Sequence, residues 1–284
     1  MALARDMSKA QMAFQVAGRD LDEFLVVRYR GTEGLCQLYK FEIDVATQTE
    51  GIMLDAIVGK PAVLSINTAT GERWFHGIVG RLELTQETVG QTYFRVELVP
   101  AVWLLTHRYH SRIFQGKTTQ EIITAVLTEG GIASDRFSFA LERDYTPREY
   151  CVQYRETDYN FIARLMEEEG IWWYFEQTEE GHTLLMADSR SAYSAIEGEA
   201  TLAYRSATGM NVETEHIVRF RVAQSMRPGA VVLNDFNFEN PQLRLEALDD
   251  AGRDQALEFA DYPGEFLEQG QGTTLAQIRK EEFQ

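Results

Sequence analysis

Four sets of residues in this 284-residue chain have types and spacings that could do chemistry. Gly116-Lys117-Thr118 stand before a run with helical spacing, as the end of a phosphate-binding loop does. That loop needs another glycine at position 111, where this chain has Ser111, and Arg112-Ile113-Phe114-Gln115 is no glycine-rich cradle. The plainer reading is a helix cap. His107 and His110 are spaced to share one face of a helical turn. Two imidazoles do not make a zinc site, which needs three or four ligands, and no HExxH occurs. With Arg108 and Arg112 interleaved, the stretch reads as a polar, partly exposed turn.

Carboxylates cluster at Asp20, Asp22 and Glu23, at Glu167 to Glu169, at Glu179 and Glu180, and at Asp249 and Asp250. A glycosidase needs two of them converging across a cleft, one with a raised pKa. In a chain with 44 acidic residues, adjacency alone is weak support, and solvated faces are the simpler reading. Glu167 to Glu169 fall at the C-terminal end of a helix, where the macrodipole disfavours them unless cations on a neighbour meet them. The fourth set is Trp172-Trp173-Tyr174-Phe175. Stacked rings bind sugars or bases, but four adjacent aromatics on a strand point to both faces, which favours a core strand or an interface. Cys36 and Cys151 form no CxxC pair and are read as small buried hydrophobes in a reducing compartment. No catalytic, cofactor-binding or metal-ligating residue is assigned on these grounds.

Composition bounds the partners. Lys and Arg number 27 against 44 Asp and Glu, a net charge of −17. Nucleic acid and anionic membrane surfaces would repel such a chain. A basic protein partner, or solubility alone, fits better. The first eighteen residues contain Asp6 and no apolar run, so no ordinary secretory signal is expected. No apolar stretch is long enough for a transmembrane helix, so stable membrane insertion is not expected. If the protein leaves the cell, another machine must carry it. At 284 residues, two or three domains are the prior.

The elements that would position these residues follow from periodicity. Tyr39, Phe41, Ile43 and Val45 alternate with Lys40, Glu42 and Asp44, as do Phe94, Val96 and Leu98 with Arg95 and Glu97. That is the two-residue period of half-buried strands. Phe24–Tyr29, Ala62–Ile66 and Ile78–Leu84 are shorter strand candidates, separated by turns at Gly31–Gly34 and Gly71. Strands in succession without helices predict an antiparallel barrel or sandwich. After Gly116 the pattern changes. Thr118 and Glu121 make a capping box before Ile122, Ile123, Val126 and Leu127, with Gly130 and Gly131 as the stop. A second helix is predicted from about Thr157 to Glu169, with Gly170 at C′. Around it lie strands at Tyr150–Tyr154, Ile171–Glu176 and Thr183–Ala187. Val218, Phe220 and Val222 alternate with Arg219 and Arg221, and Ala230–Phe238 follows the Pro228-Gly229 turn, so strands resume. Residues 241–272 read as acidic loop, and Thr273–Glu282 as a helix.

The run from Arg148 to Phe175, Arg-Glu-Tyr-Cys-Val-Gln-Tyr-Arg-Glu-Thr-Asp-Tyr-Asn-Phe-Ile-Ala-Arg-Leu-Met-Glu-Glu-Glu-Gly-Ile-Trp-Trp-Tyr-Phe, resembles the hallmark segment of VgrG spike proteins of type VI secretion systems. Phe75-His76-Gly77-Ile78-Val79, Leu98 to Leu105, Ile113 to Thr118 and Asp261-Tyr262-Pro263-Gly264 follow in that family's order. The resemblance spans about residues 15 to 284. It implies a mainly β fold with an α+β insert, similar to the contractile phage tail hub: two antiparallel barrel-like domains plus a small α+β domain. The boundaries expected are a flexible N-terminus over 1–15, a first hub domain over 16–115, the insert over 116–205, and an incomplete second hub domain over 206–284. The implied role is structural and not enzymatic. The full-length protein would trimerise, dock a tube of haemolysin-coregulated protein, and meet baseplate and effector proteins. It would assemble in the bacterial cytoplasm and be exported by the type VI apparatus. The needle and tip domains of that family fall outside this sequence. A contractile phage tail hub is the alternative, and a cell-wall glycan hydrolase, motivated by the acids and aromatics, a more distant one.

Overall fold

The computed structural model describes residues 12–68, 71–193, 201–205 and 216–283. Its first strands are β1 (Met12–Val16), β2 (Leu25–Thr32), β3 (Lys40–Thr47), β4 (Pro61–Thr68), β5 (Gly71–Thr88) and β6 (Gln91–Val99). They form one antiparallel sheet in the order β1-β4-β5-β6-β3-β2. The alternation in β3 and β6 works as the period-two pattern requires. Phe41, Ile43 and Val45 pair with Leu98, Val96 and Phe94, and all six are buried. Asp44 sits across from Arg95 on the other face and bonds it at 2.8 Å.

The sheet curls because β5 serves both neighbours. Over its 18 residues, its first half pairs with β4 and its second half with β6. Register shifts between Val79 and Arg81, and between Leu84 and Gln86, mark bulges, which sharpen local bend and twist. The outer strands β1 and β2 approach one another, with Phe14 and Phe24 rings 6.3 Å apart. One core results, running from Phe14 and Val16 through Tyr39, Phe41, Leu64 and Val79 to Leu98. Each such large side chain contributes roughly 1.5–3 kcal/mol on full burial.

A 3₁₀ turn over Ala101–His107 leads into β7 (Tyr109–Phe114), α1 (Thr119–Glu129), β8 (Phe137–Ala140), β9 (Cys151–Thr157), α2 (Asp158–Glu168), β10 (Trp172–Gln177) and β11 (His182–Ala187). The capping box at Thr118 and Glu121 is formed in both directions. Ile122, Ile123, Val126 and Leu127 are fully buried, as the apolar stripe demands. Helix α2 ends at Gly170, in the left-handed region at φ 64. The amide of Ile171 donates to Met166 O at 2.7 Å, closing the helix end. β10, β11 and β8 form a second sheet, with β8 parallel to β11, and β7 pairs antiparallel with β9. The polar turn expected at Arg108 to Arg112 is therefore a strand. Its alternation was hidden because its buried face is made of charges, not apolar residues.

The described residues divide into two compact units. One comprises those of 12–162 and 172–219, the other those of 163–171 and 220–283. The second unit holds β12 (Ala230–Asp235), β13 (Leu245–Asp250), β14 (Glu258–Asp261) and α3 (Gln269–Glu282), in sheet order β13-β12-β14. α3 covers one face, and Val231, Leu233, Leu245, Ala247, Phe266 and Ala276 make the core. Two readings are corrected here. Residues 241–272 are not one loop, since Leu245 and Ala247 point inward between acidic neighbours and pair with β12. Residues 218–222 form no strand: Val218, Phe220 and Val222 are exposed, and no strand among the described residues lies beside them to satisfy their backbone groups. Met12–Gln15, expected to be flexible, lie in β1. The remaining N-terminal residues, and 206–215 of the expected second hub domain, lie outside the described residues.

Candidate functional site

The hallmark segment from Arg148 to Phe175 is organised around one carboxylate. Asp158 opens α2 and is fully buried. Arg108 Nε donates to it at 2.8 Å, Arg112 at 3.0 Å and Gln153 Nε2 at 2.9 Å, and His110 Nδ1 lies 2.9 Å away. Arg112 also bonds Gln153 Oε1 at 2.7 Å and Glu129. Pairing β7 with β9 supplies this geometry, since it aligns Arg112 with Gln153 and His110 with Glu156. Burial pushes the Asp158 carboxyl up, but the donors Arg108, Gln153 and His110 and the charge of Arg112 outweigh it, leaving the pKa below the usual range. A carboxylate so fully engaged is a structural clamp and has no lone pair aimed at a substrate.

The first sheet and the β10–β11 hairpin meet at a second cluster. Phe175 packs edge-on against Tyr39 at 4.9 Å, and His182 lies 5.9 Å from both rings. Tyr39 donates to the His76 carbonyl, and the His76 amide donates to Gln177 Oε1 at 3.0 Å. His182 Nε2 accepts from the Ala101 amide at 3.5 Å, which requires a neutral ring. The Nε2 atoms of His76 and Gln177 are buried without a hydrogen-bond partner. A cavity of about 530 Å³ lies beside this joint, with Pro61, Ile78, Val102 and Ile132 as apolar walls and Arg136 and Glu180 as charged ones. Burial lowers the His182 pKa to about 4, with the charges of His76 and Arg136 adding to the effect. Burial lowers that of His76 too, against the opposing carbonyls of Thr178 and Glu179.

Because both folded-state values lie below the ordinary 6.5, stability from this joint is complete above pH 6.5 and declines as pH falls towards 4. For His182 alone the slope is about 1.4 kcal/mol per pH unit. Urea midpoints measured between pH 7 and 4.5 should fall, and His182→Gln, which keeps an acceptor but cannot titrate, should flatten the decline. An unchanged slope in that variant would rule the joint out as its source.

The other sequence candidates do not converge. Thr118 Oγ1 accepts from the Glu121 amide at 3.2 Å, and the Thr118 amide donates to Glu121 Oε2 at 2.8 Å, so the helix start is occupied by its own side chains. His107 lies against Trp103, with ring centres 4.4 Å apart, while His110 turns to Asp158. No group of three metal-ligating side chains forms among the described residues. Four of these carboxylates meet cations of their own chain: Glu23 meets Arg19 at 2.6 Å, Glu168 Arg164 at 2.9 Å, Glu167 Arg279 at 3.6 Å and Asp249 Lys280 at 2.6 Å. Cys151 is buried but Cys36 is exposed, against expectation. It sits in a tight turn at φ 54, its amide donating to Trp173 O at 2.8 Å. Trp173 and Phe175 face one side of β10, where Trp173 is buried. On the other side Trp172 stacks on Tyr193 at 4.4 Å and on Tyr174 at 5.8 Å. Neither face is an open shelf for a sugar or base.

Sequence reasoning missed Asp188. It accepts from the amides of Glu142 and Arg143 at 2.8 and 3.0 Å and from the Tyr145 hydroxyl at 2.9 Å. Nothing local signals this clasp, because the partners are more than forty positions away.

Clamps, ring clusters and intrachain ion pairs characterise a rigid scaffold. A family model described as phage tail baseplate hub matches residues 32–284. The chain belongs to the phage tail baseplate hub family. Among curated relatives, the type VI secretion system spike protein VgrG1a of Pseudomonas aeruginosa is 35% identical over 267 residues, 93% of this chain and 41% of that protein. VgrG3 of Vibrio cholerae is 30% identical over 97% of this chain and 28% of that protein. The chain thus spans well under half the length of these spike proteins. Among solved structures, the E. coli c3393 protein has a TM-score of 0.61 and 23% identity, over 69% of this chain and 52% of that one. It is described as a type VI secretion component similar to the T4 tail proteins gp27 and gp5. A prophage tail protein from Shewanella oneidensis superposes over 96% of this chain and 79% of its own, with a TM-score of 0.58 and 14% identity. The hub fold, mainly β with an α+β insert, is therefore that of the VgrG and tail-hub relatives.

Proposed function

We propose that this chain is the base of a type VI secretion spike. In the full-length protein it forms a homotrimer that seats on a tube of haemolysin-coregulated protein, with baseplate and effector proteins as further partners. The spike is assembled in the bacterial cytoplasm and propelled outward by sheath contraction. The observation that carries this reading is the 35% identity to VgrG1a across 93% of the chain, on a hub fold. The division proposed is a hub domain over 16–115, an insert over 116–205 and a second hub domain over 206–284. The role is mechanical and not enzymatic: buried clamps such as Asp158 hold the sheets rigid under axial load. The net charge of −17 argues against nucleic acid as a partner, and no helix among the described residues is long and apolar enough to cross a membrane. Light scattering of the full-length protein, alone and mixed with the tube protein, tests the proposal. A discrete trimer that binds the tube is expected; a monomer that never associates would contradict it. The likeness to a prophage tail protein over 96% of the chain keeps a phage-particle hub as the second reading, which neighbouring genes distinguish.

A further inference from the structure

The first sheet has a second face, opposite its core. Strand alternation puts Gln15, Pro61, Val63, His76 and Ile78 there: Gln15 pairs with Val63, Val63 with His76 and Pro61 with Ile78, while Phe14, Leu64 and Phe75 point into the core. Part of this face is roofed. Val102 from the 3₁₀ turn, Ile132 and Ala133 after α1, and His182 at the start of β11 stand over the strands without filling the space beneath them. The cavity of about 530 Å³ is that space. Its volume is in the usual range of ligand pockets, and a seam between packed substructures is a common place for one.

The charges at its edge are unequally engaged. The Glu180 carboxylate turns back to its own amide and to the Thr178 hydroxyl, which hold it below the usual carboxylate range. The Arg136 guanidinium reaches the Glu180 carbonyl only at 3.4 and 3.5 Å and the Asp135 carboxylate only at 3.8 Å. It rests against Gly181, where a Cβ would lie 1.8 Å from Nη1, so the bare backbone of the β10–β11 turn is what admits it to the cavity lip. Its positive charge reaches both His76 and His182, which burial already holds neutral. The cavity thus combines apolar walls with one under-engaged cation.

We propose that this cavity binds a small monocarboxylate with an apolar body, of the medium-chain fatty-acid class. The ligand's carboxylate would accept two parallel N–H bonds from Arg136, the geometry a guanidinium favours. Its hydrocarbon body would displace water from Val63, Ile78, Val102 and Ile132. The nearby Glu180 and the net charge of −17 disfavour ligands with several negative charges. Such binding would be a property of the chain itself, whether or not it seats on a tube.

Isothermal titration calorimetry with octanoate tests it, with octylammonium as the probe of opposite charge and acetate as the headgroup alone. Circular dichroism confirms that each variant is folded. Octanoate is expected to bind saturably, one per chain, and at least about tenfold more tightly than either control, the least that a charge-assisted bond and a buried chain would each contribute. Arg136→Gln should weaken octanoate by about tenfold. Val63→Trp, which fills the floor of the cavity, should abolish binding; Ala17→Trp, at the exposed rim, serves the same purpose if the first variant does not fold. Octanoate that fails to bind the folded wild type, or that binds no better than octylammonium, would overturn the proposal. So would affinity left unchanged by Arg136→Gln or by the filled variant, since the ligand would then lie elsewhere.

Discussion

Replacing Asp158 with alanine is expected to destabilise the first unit by about 3–5 kcal/mol, the cost of breaking a buried ion cluster by removing one member. Arg108, Arg112, His110 and Gln153 all converge on this carboxylate, which has no exposed side-chain surface. Without it, the partly buried Arg108 and Arg112 guanidinium groups lose their shared counter-charge, and repulsion adds to the lost bonds. For a unit of this size the melting temperature should drop by about 10 °C. Asp158→Asn keeps the shape but not the charge, and should fall between wild type and Asp158→Ala. Thermal and urea unfolding measure both. The pH dependence has a definite sign. The folded pKa lies below the ordinary 3.8, so the contribution is complete above about pH 4 and is lost as pH falls through the lower folded value. It is thus distinct from the histidine joint, whose effect is felt between 6.5 and 4. A loss below 1 kcal/mol on Asp158→Ala would mean the cluster is no clamp.

Gly77→Val should be nearly as damaging, for a steric reason. A Cβ at position 77 would lie 2.4 Å from the Val99 carbonyl oxygen and 3.0 Å from a Leu98 methyl. Neither can yield cheaply, because Val99 is held by pairing with Ile78 and Leu98 is buried in the core. The cost expected is about 3 kcal/mol, the upper end for overpacking. Gly270→Ala is the control. It lies in α3 with open space around it and should be neutral or mildly stabilising by about 0.5–1 kcal/mol. Equal stability of both variants would show that the strands separate readily at this point. The Phe75-His76-Gly77 motif thus has a concrete meaning: the glycine admits the close backbone approach where β5 passes between its two neighbours.

Much of this was legible in the amino-acid order. The alternation in β3 and β6 marked the buried faces, Thr118 and Glu121 marked the start of α1, and Gly170 marked the end of α2. The Arg148–Phe175 run pointed to the family before any coordinates. The strand at Tyr109–Phe114 was not legible, since its inward residues are His110 and Arg112. Polar alternation looks like a turn until a buried acid appears opposite. The β13 and β14 strands were masked by the acidic residues on their outer face. The apolar alternation at Val218–Val222 misled in the other direction, because a strand needs a neighbour and none among the described residues pairs with it.

Periodicity reports which face of a segment is apolar, and caps report where it starts and stops, because both are properties of near neighbours in the chain. These alone determined the strand-rich class and the two helices of the insert; the family came from the resemblance carried by the Arg148–Phe175 run. Which strand lies beside which is decided by contacts between distant residues. Only the tertiary structure could therefore bring Arg108 and Arg112 to Asp158, wedge His182 against Tyr39, and leave Tyr109, Ile113 and Tyr154 facing outward.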